Sequence, residues 1–207
     1  QMFGWFNKEI NSLEDLQGLT MRIPSLGGEV FRRAGGVPVT MQVSEVFTAL
    51  QTGALDATEF VSPYNDLAAG YHTVAEYYYY PGWHEPGSTL ETIFNKEKFE
   101  SLPKDLQEIL MAGTEIMNQL LLDELMAKNN EALRVLVEEH GVQLRKLPND
   151  VLTELHRISE DVVSEMSSLD EQTAKVYESW KNFRENVINY NRIAEEAFIE
   201  ARNLPLN

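Results

Sequence analysis

Residues 18–61 constrain the fold more than any other part of this sequence. Short apolar runs alternate there with glycine- and proline-containing turns, a pattern typical of two βα units placed end to end. We predict three strands and two helices in alternation: residues 19–23, 28–34, 37–40, 45–51 and 55–61. Consecutive βα units build a sheet covered by helices, so the predicted fold class is α/β.

Arg22 lies at the end of the first predicted strand, directly before a proline and an SLGG turn. In α/β sheets, ligands collect at the carboxyl ends of strands, close to glycine-rich turns and helix N-termini whose free N–H groups favour anions. A guanidinium group also matches a carboxylate in a bidentate way. Arg22 is therefore a candidate anion-binding residue, and the alternative is an ordinary surface charge.

Charge and composition exclude several classes of partner. The formal net charge is −16, and no basic run is present, so nucleic acid and anionic membrane surfaces would be repelled. No apolar run reaches the roughly 20 residues of a membrane span, and we expect no membrane insertion. The absence of cysteine excludes disulfides and thiolate chemistry. The chain starts on apolar, strand-like residues without an initiator Met, and we expect it to be a fragment of a longer protein.

The composition changes near Leu102 and Pro103, after which the sequence is mostly helical. Apolar residues recur at helical spacing over 103–140, and further helices are predicted over 149–167 and 170–202. The last helix has a coiled-coil-like seam: Val176, Trp180, Phe183, Val187, Tyr190, Ala194, Ala197 and Ala201. Two interpretations stay open for this seam, packing on its own domain and binding a partner.

An aromatic segment precedes the helical part. Tyr77 to Tyr80 predict a strand, and we expect it to be interrupted by the prolines and glycines of PGWHEPG before it resumes over residues 89–94. Four adjacent tyrosines are most often core and rim packing, but aromatic side chains also line small-ligand clefts.

Two acidic residues add to the chemistry that Arg22 suggests. Glu59 stands in a mostly apolar strand and Glu85 in the WHEPG turn. Such a pair suits general acid–base catalysis or the binding of a hard cation, and the residues alone do not choose between them. Zinc is not expected, because the histidines lack ligand spacing: His72, His84, His140 and His156. The sequence also has no P-loop, no GxGxxG fingerprint and no nucleophile elbow.

Three runs carry a resemblance to a known family: SLEDLQGLTMRIP, VFTALQTGALDATEF and SLPKDLQEI. They resemble the extracytoplasmic solute-binding subunit of TRAP transporters, the DctP family, over nearly the whole chain. The runs QMFGWF, ATEF, SPYND and YYYYPGWHEPG resemble the branch that binds 2-oxo acids and related monocarboxylates such as lactate.

The resemblance implies a two-lobed, periplasmic binding protein-like fold with long C-terminal helices, of which this chain lacks most of the first lobe. Residues 1–60 and 103–207 would belong to the second lobe, and residues 61–102 would cross the hinge into the first. Relatives carry a signal peptide, work in the periplasm and deliver a small carboxylate to membrane permease subunits. The resemblance therefore implies a binding protein and not an enzyme, and some relatives form homodimers through the C-terminal helix.

The resemblance also implies roles for individual residues. Arg22 matches the family arginine that binds the substrate carboxylate. Gln1, Glu59, Phe60 and Glu85 match positions that line the substrate and a bound cation, sodium or calcium. Glu59 and the Phe60 carbonyl would be cation ligands, Glu85 a further one, and the substrate's own oxygens would complete the shell. The branch usually has tryptophan where this chain has Phe60, so the apolar wall of the site is expected to be shallower.

Alternative functions stay open at this point. One is a TRAP subunit that binds C4-dicarboxylates, and another is a sensor module that passes the same ligand signal to a receptor. A third is an enzyme that uses Glu59 and Glu85 as acid and base on a carboxylate substrate.

Overall fold

The structure, a computed structural model, describes residues 1–87 and 90–205 of the 207-residue chain. Its strands are β1 Gly4–Phe6, β2 Thr20–Arg22, β3 Val37–Val39, β4 Ala57–Thr58, β5 Tyr77–Tyr80 and β6 Gln143–Lys146. Its α-helices are α1 Ser25–Arg33, α2 Val43–Thr52, α3 Pro63–Ala69, α4 Lys96–Glu100, α5 Lys104–Arg134, α6 Asn149–Met166, α7 Glu171–Asn191 and α8 Ala197–Arg202. Short 3₁₀ turns cover Leu13–Leu16 and Tyr71–Thr73, and π turns cover Val135–Glu139 and Arg192–Glu196.

The described strands form one mixed sheet in the order β3-β2-β4-β1-β5-β6. β2 pairs in parallel with both β3 and β4, as expected for successive βα units. β1 lies between β4 and β5 and is antiparallel to both, and β5 continues in parallel with β6. Because β2 and β4 are parallel neighbours, the residues that follow them emerge side by side at the same edge of the sheet.

The first strand comes unusually close to β4. Gly4 has φ +149°, and a Cβ atom on it would lie 2.1 Å from the Thr58 carbonyl oxygen. Only glycine allows this approach, because a side chain would collide with the neighbouring backbone. The chain just before β1 and the chain just after β4 are thereby held together.

The core lies where aromatic residues of β1 and β5 meet the inner face of α2. The Trp5 and Tyr78 rings stack with their centroids 4.1 Å apart and an interplanar angle of 16°. One buried cluster includes both rings: Trp5, Val46, Ala49, Leu50, Leu55, Tyr71, Ala75, Tyr78, Leu136 and Val142. Burial of these side chains fixes the sheet against α2.

The predicted elements of the first 61 residues appear in the predicted order, as β2, α1, β3, α2 and β4. The helix predicted over 103–140 is α5 followed by its π turn, and the last predicted helix is α7, a π turn and α8. The strand predicted over 89–94 is wrong for residues 90–94, while Thr89 lies outside the described residues. Leu90 and Ile93 are 70% and 81% exposed, so no burial offsets the cost of ordering a strand there.

Contacts within the chain divide it into two compact units, one from Gln1 to His156 and one from Arg157 onward, with the boundary inside α6. In the second unit, Asp170 caps α7 by accepting a hydrogen bond from the Thr173 backbone N–H at 2.7 Å. Arg184 of α7 binds both carboxylate oxygens of Glu160 at 2.6 and 3.1 Å. The assignment of residues to lobes, with boundaries after residues 60 and 102, stays a prediction. Among the described residues, no helix is both long enough and apolar enough to cross a membrane.

Candidate anion and cation site

Arg22 and Glu59 meet where β2 and β4 end. Arg22 is the last residue of β2 and is the register partner of Thr58 in β4, and Glu59 follows β4 directly. The Glu59 backbone N–H donates a hydrogen bond of 3.0 Å to the Arg22 carbonyl oxygen. Backbone pairing in the sheet therefore positions both residues independently of the contact between their side chains.

The two side chains form a largely buried ion pair. Arg22 Nη1 donates to Glu59 Oε1, and the side chains are only 15% and 6% exposed. Removing either partner would leave the other as an uncompensated buried charge, which is far more costly than removing both. Such a pair offers one cationic and one anionic group that incoming ions can engage in place of the partner.

His84 completes this cluster from the loop that follows β5. Its Nε2 lies 3.8 Å from Glu59 Oε2, which is close but beyond hydrogen-bonding distance. The imidazole packs against the rings of Phe3 and Trp83, with centroid distances of 5.9 and 5.4 Å. Sequence reasoning considered His84 only as a zinc ligand. The sequence feature that could have pointed to His84 is its position directly before Glu85.

Gln1 and Phe60 are also brought together. The Gln1 side-chain amide donates a hydrogen bond of 3.0 Å to the Phe60 carbonyl oxygen. The Phe60 ring stands edge-on against Tyr71, with centroids 5.2 Å apart and an interplanar angle of 88°. Glu85 follows His84 directly in the chain, but its side chain is exposed.

The oxygen atoms in this region suit a hard cation. Within residues 1–87 and 90–205, no three His, Asp or Glu side chains are grouped so that they could hold a metal ion alone. A carboxylate from Glu59 and carbonyl-type oxygens from Phe60 and Gln1 are nevertheless the ligands that sodium and calcium prefer. A cation here would need further oxygens from water, from another residue or from a bound acid.

Asp66 is a buried carboxyl whose hydrogen bonds hold the backbone next to the site. Its Oδ2 accepts hydrogen bonds from Trp5 Nε1 at 2.9 Å and from the Tyr78 hydroxyl at 2.7 Å, and its Oδ1 accepts from the Val61 N–H at 3.2 Å. This carboxyl, only 1% exposed, thus ties β1, β5 and the residue after Phe60 to one point. Sequence reasoning missed Asp66, because an acid in a helical first turn is normally exposed.

Burial raises the pKa of Asp66 to about 6 from its ordinary value of 3.8, although hydrogen bonds from Tyr78, Trp5 and backbone N–H groups favour the charged form. Burial, together with the negative charge of Asp66, also raises the pKa of Tyr78. The Tyr78 hydroxyl therefore remains a hydrogen-bond donor at neutral pH.

The α/β fold and its buried pair of opposite charges can be compared with those of known families. Residues 1–169 match the model of the family DctP, bacterial extracellular solute-binding protein, family 7. The chain belongs to this family, as the sequence resemblance predicted.

Three similar proteins are informative. A monocarboxylate 2-oxoacid-binding periplasmic protein from Nostoc sp. (strain PCC 7120) is 41% identical over 198 residues, which are 96% of this chain and 54% of that protein. A TRAP periplasmic solute-binding protein from Pseudoalteromonas atlantica, solved with bound sodium and pyruvate, matches with a TM-score of 0.90 and 37% identity over 97% of this chain and 61% of the other. A TRAP solute-binding protein from Bordetella bronchiseptica, a dimer with copurified calcium and picolinate, matches with a TM-score of 0.92 and 34% identity over 98% and 60%.

These matches confirm the predicted fold class, an α/β fold of the periplasmic binding protein type. The chain spans about half to three fifths of the length of these relatives. Sodium and calcium are the cations found with acids in the two solved relatives, in agreement with the predicted choice of cation.

Replacing Asp66 with asparagine should change how stability depends on pH. A folded-state pKa of about 6 against 3.8 means that the folded protein binds more protons than the unfolded chain between these values. The contribution of Asp66 to stability is therefore fully present below pH 3.8 and is lost as the pH rises from there through 6. We expect the difference in free energy of unfolding between the natural protein and Asp66→Asn to shrink by about 2–3 kcal/mol from pH 4 to pH 7.

Urea unfolding at several pH values measures this difference, with the exposed residue Asp105 changed to asparagine as the matched control. A difference that stays constant from pH 4 to pH 7 would show that the pKa of Asp66 is not raised.

Proposed function

We propose that this protein captures a small monocarboxylate together with a cation and delivers it to the membrane permease subunits of a TRAP transporter. The acid is a 2-oxo acid such as pyruvate, or lactate. The observation that carries this proposal is the buried pair of Arg22 and Glu59 at the adjoining ends of β2 and β4.

Arg22 provides the anion half of the site. Its guanidinium is mostly buried, so water competes weakly for it, and a bidentate bond to a carboxylate is among the stronger charge-assisted contacts. An incoming carboxylate would exchange with Glu59 as the partner of Arg22, so the guanidinium would not be left unpaired.

Glu59 provides the cation half. Once an acid pairs with Arg22, the Glu59 carboxylate needs another positive partner, and a sodium or calcium ion supplies it. The Phe60 carbonyl, Gln1 and Glu85 are the proposed further ligands, with the substrate's own oxygens completing the shell. The sodium and pyruvate of the Pseudoalteromonas protein support this arrangement.

The wall of the site favours a small substrate. The Phe60 ring stands edge-on against Tyr71, whose hydroxyl is close enough to Arg22 and Glu59 to be affected by their charges, so an acid with a short side chain would be covered by aromatic surface. Because phenylalanine replaces the usual tryptophan, we expect slightly longer 2-oxo acids to be accepted as well.

We propose that the protein binds its acid without converting it. We also propose that it works in the periplasm. Family membership supports a solute-binding role, and the Nostoc relative is named as a periplasmic protein. Titration with succinate tests the dicarboxylate alternative, turnover of the acid tests the enzyme alternative, and the presence of permease genes beside the coding gene separates transport from sensing. For residues 1–60 and 103–207 we propose the second lobe, and for residues 61–102 a path through the hinge.

Arg22→Ala should weaken the binding of pyruvate or lactate by about 100-fold or more, because a mostly buried charged contact is lost. Calorimetric titration of the full-length protein measures this. The matched control is Arg32→Ala, whose side chain is 59% exposed and pairs with Glu29. An unchanged affinity in Arg22→Ala would remove Arg22 from the site.

Glu59→Gln should abolish the dependence of acid binding on the cation. In a choline buffer with a calcium chelator, we expect the natural protein to bind pyruvate weakly and to recover affinity when sodium or calcium is added. The variant should show the same weak binding with and without the cation. Glu29→Gln is the matched control, and a full cation response in Glu59→Gln would place the cation elsewhere.

The exposed apolar seam of α7 is proposed as a homodimer contact. Val176, Trp180 and Phe183 are 63%, 42% and 69% exposed, so the described residues cover these three side chains only in part. An unpaired apolar stripe of this kind favours a second helix, and the dimeric Bordetella relative supports a second copy as its occupant.

Phe183→Glu should shift the protein toward monomer, because a charge at the centre of an apolar helix contact would be buried without a partner. Light scattering coupled to size exclusion measures the mass. Lys181→Glu, on an exposed position of the same helix, controls for the added charge. A natural protein that is monomeric at high concentration would contradict the proposed contact.

A further inference from the structure

Both ring nitrogens of His84, whose Nε2 lies 3.8 Å from Glu59 Oε2, and Nε1 of the adjacent Trp83 are buried and have no hydrogen-bond partner among the described residues. The His84 side chain is only 6% exposed. Buried polar atoms in folded proteins are almost always hydrogen-bonded, and each exception calls for an explanation such as a ligand. Two consecutive residues of one loop with buried, unpaired hydrogen-bonding groups therefore point to a missing ligand.

The groups around His84 indicate that its unpaired nitrogens belong to the proposed acid site. Apolar rings of Phe3 and Trp83 pack on the imidazole, and a Cβ on Gly27 of α1 would lie 3.5 Å from the His84 Cβ. A charged group near it is the Glu59 carboxylate, whose Oε2 lies 3.8 Å from Nε2. Oε1 of the same carboxylate is the acceptor for Arg22.

Arg22 and His84 thus stand at the two oxygens of a single carboxylate. A 2-oxo or 2-hydroxy acid also presents two neighbouring oxygens, one on its carboxylate and one on C2. If the acid takes the place of Glu59 at Arg22, its C2 oxygen comes within reach of the imidazole. A neutral imidazole carries one N–H donor, which is what a keto or hydroxyl oxygen accepts from.

We propose that His84 is a specificity-determining residue of this site, whose N–H donates a hydrogen bond to the C2 oxygen of the bound acid. The inference rests on the proposed function, since it requires that Arg22 binds the carboxylate of the same ligand. It predicts that a site for a very small molecule rejects acids of equal length that have no C2 oxygen. Such an acid would leave the imidazole unpaired and buried, and this penalty discriminates more strongly than a lost methyl contact.

The test compares pyruvate and lactate with propionate, which has the same three carbons but no C2 oxygen. Each is titrated by calorimetry into the full-length protein at saturating sodium or calcium, so that the cation's contribution is the same throughout. His84→Phe removes the N–H and keeps an aromatic ring, and His84→Asn restores a donor. His156→Phe, an exposed position, is the matched control.

We expect His84→Phe to lose about tenfold in affinity for pyruvate and lactate, with little change for propionate, and His84→Asn to regain most of the preference. An equal loss for all three acids, or none, would overturn the proposal while leaving the proposed function intact. Failure of the natural protein to bind any of the acids would overturn both. If His84→Phe does not fold, the pyruvate-to-propionate ratio of His84→Ala decides in the same way.

Discussion

The buried ion pair between Arg22 and Glu59 is the interaction on which the rest of the site depends. Neither charge can be left alone at this depth, because the desolvation cost of each is met only by an opposite charge. Under the proposed function, ions therefore bind to this site by an exchange of partners. An acid and a cation that arrive together can replace one internal pair by two external pairs, and no buried charge is left unpaired at the end.

The sheet holds Arg22 and Glu59 in fixed positions for this exchange. Parallel pairing of β2 with β4 sets the backbones of Arg22 and Glu59 side by side, and the Gly4 contact holds β1 against Thr58 from the other side. Asp66 then ties the residue after Phe60 to Trp5 and Tyr78 through three hydrogen bonds. Rigid support of this kind lowers the entropy lost on binding, since the ligating groups are already ordered.

Residue spacing and turn residues were sufficient to predict those parts of the fold that depend on neighbours in the sequence. The βα units before residue 61, the position of Arg22 at a strand end and the long helix α5 all follow from spacing, glycine and proline. The resemblance to the DctP family added Gln1 and Phe60, which no local pattern singled out. Burial, by contrast, depends on contacts between residues far apart in the chain. Asp66 and His84 were missed for this reason, since each is buried by strands and loops that the sequence does not place.

The need for both a guanidinium and a cation follows from charges close to the proposed site and not from the net charge of −16. A strongly acidic protein repels an anionic ligand at long range, but salt screens exposed charges over about 8–10 Å, so the balance is decided locally. Close to the site, Glu59 is itself an anion near the acid that Arg22 would bind, and a guanidinium alone cannot neutralise both. A bound cation removes that repulsion, and it ties the affinity for the acid to the presence of the ion. Under the proposed function, a cation is therefore an electrostatic requirement of binding an anion next to a buried carboxylate.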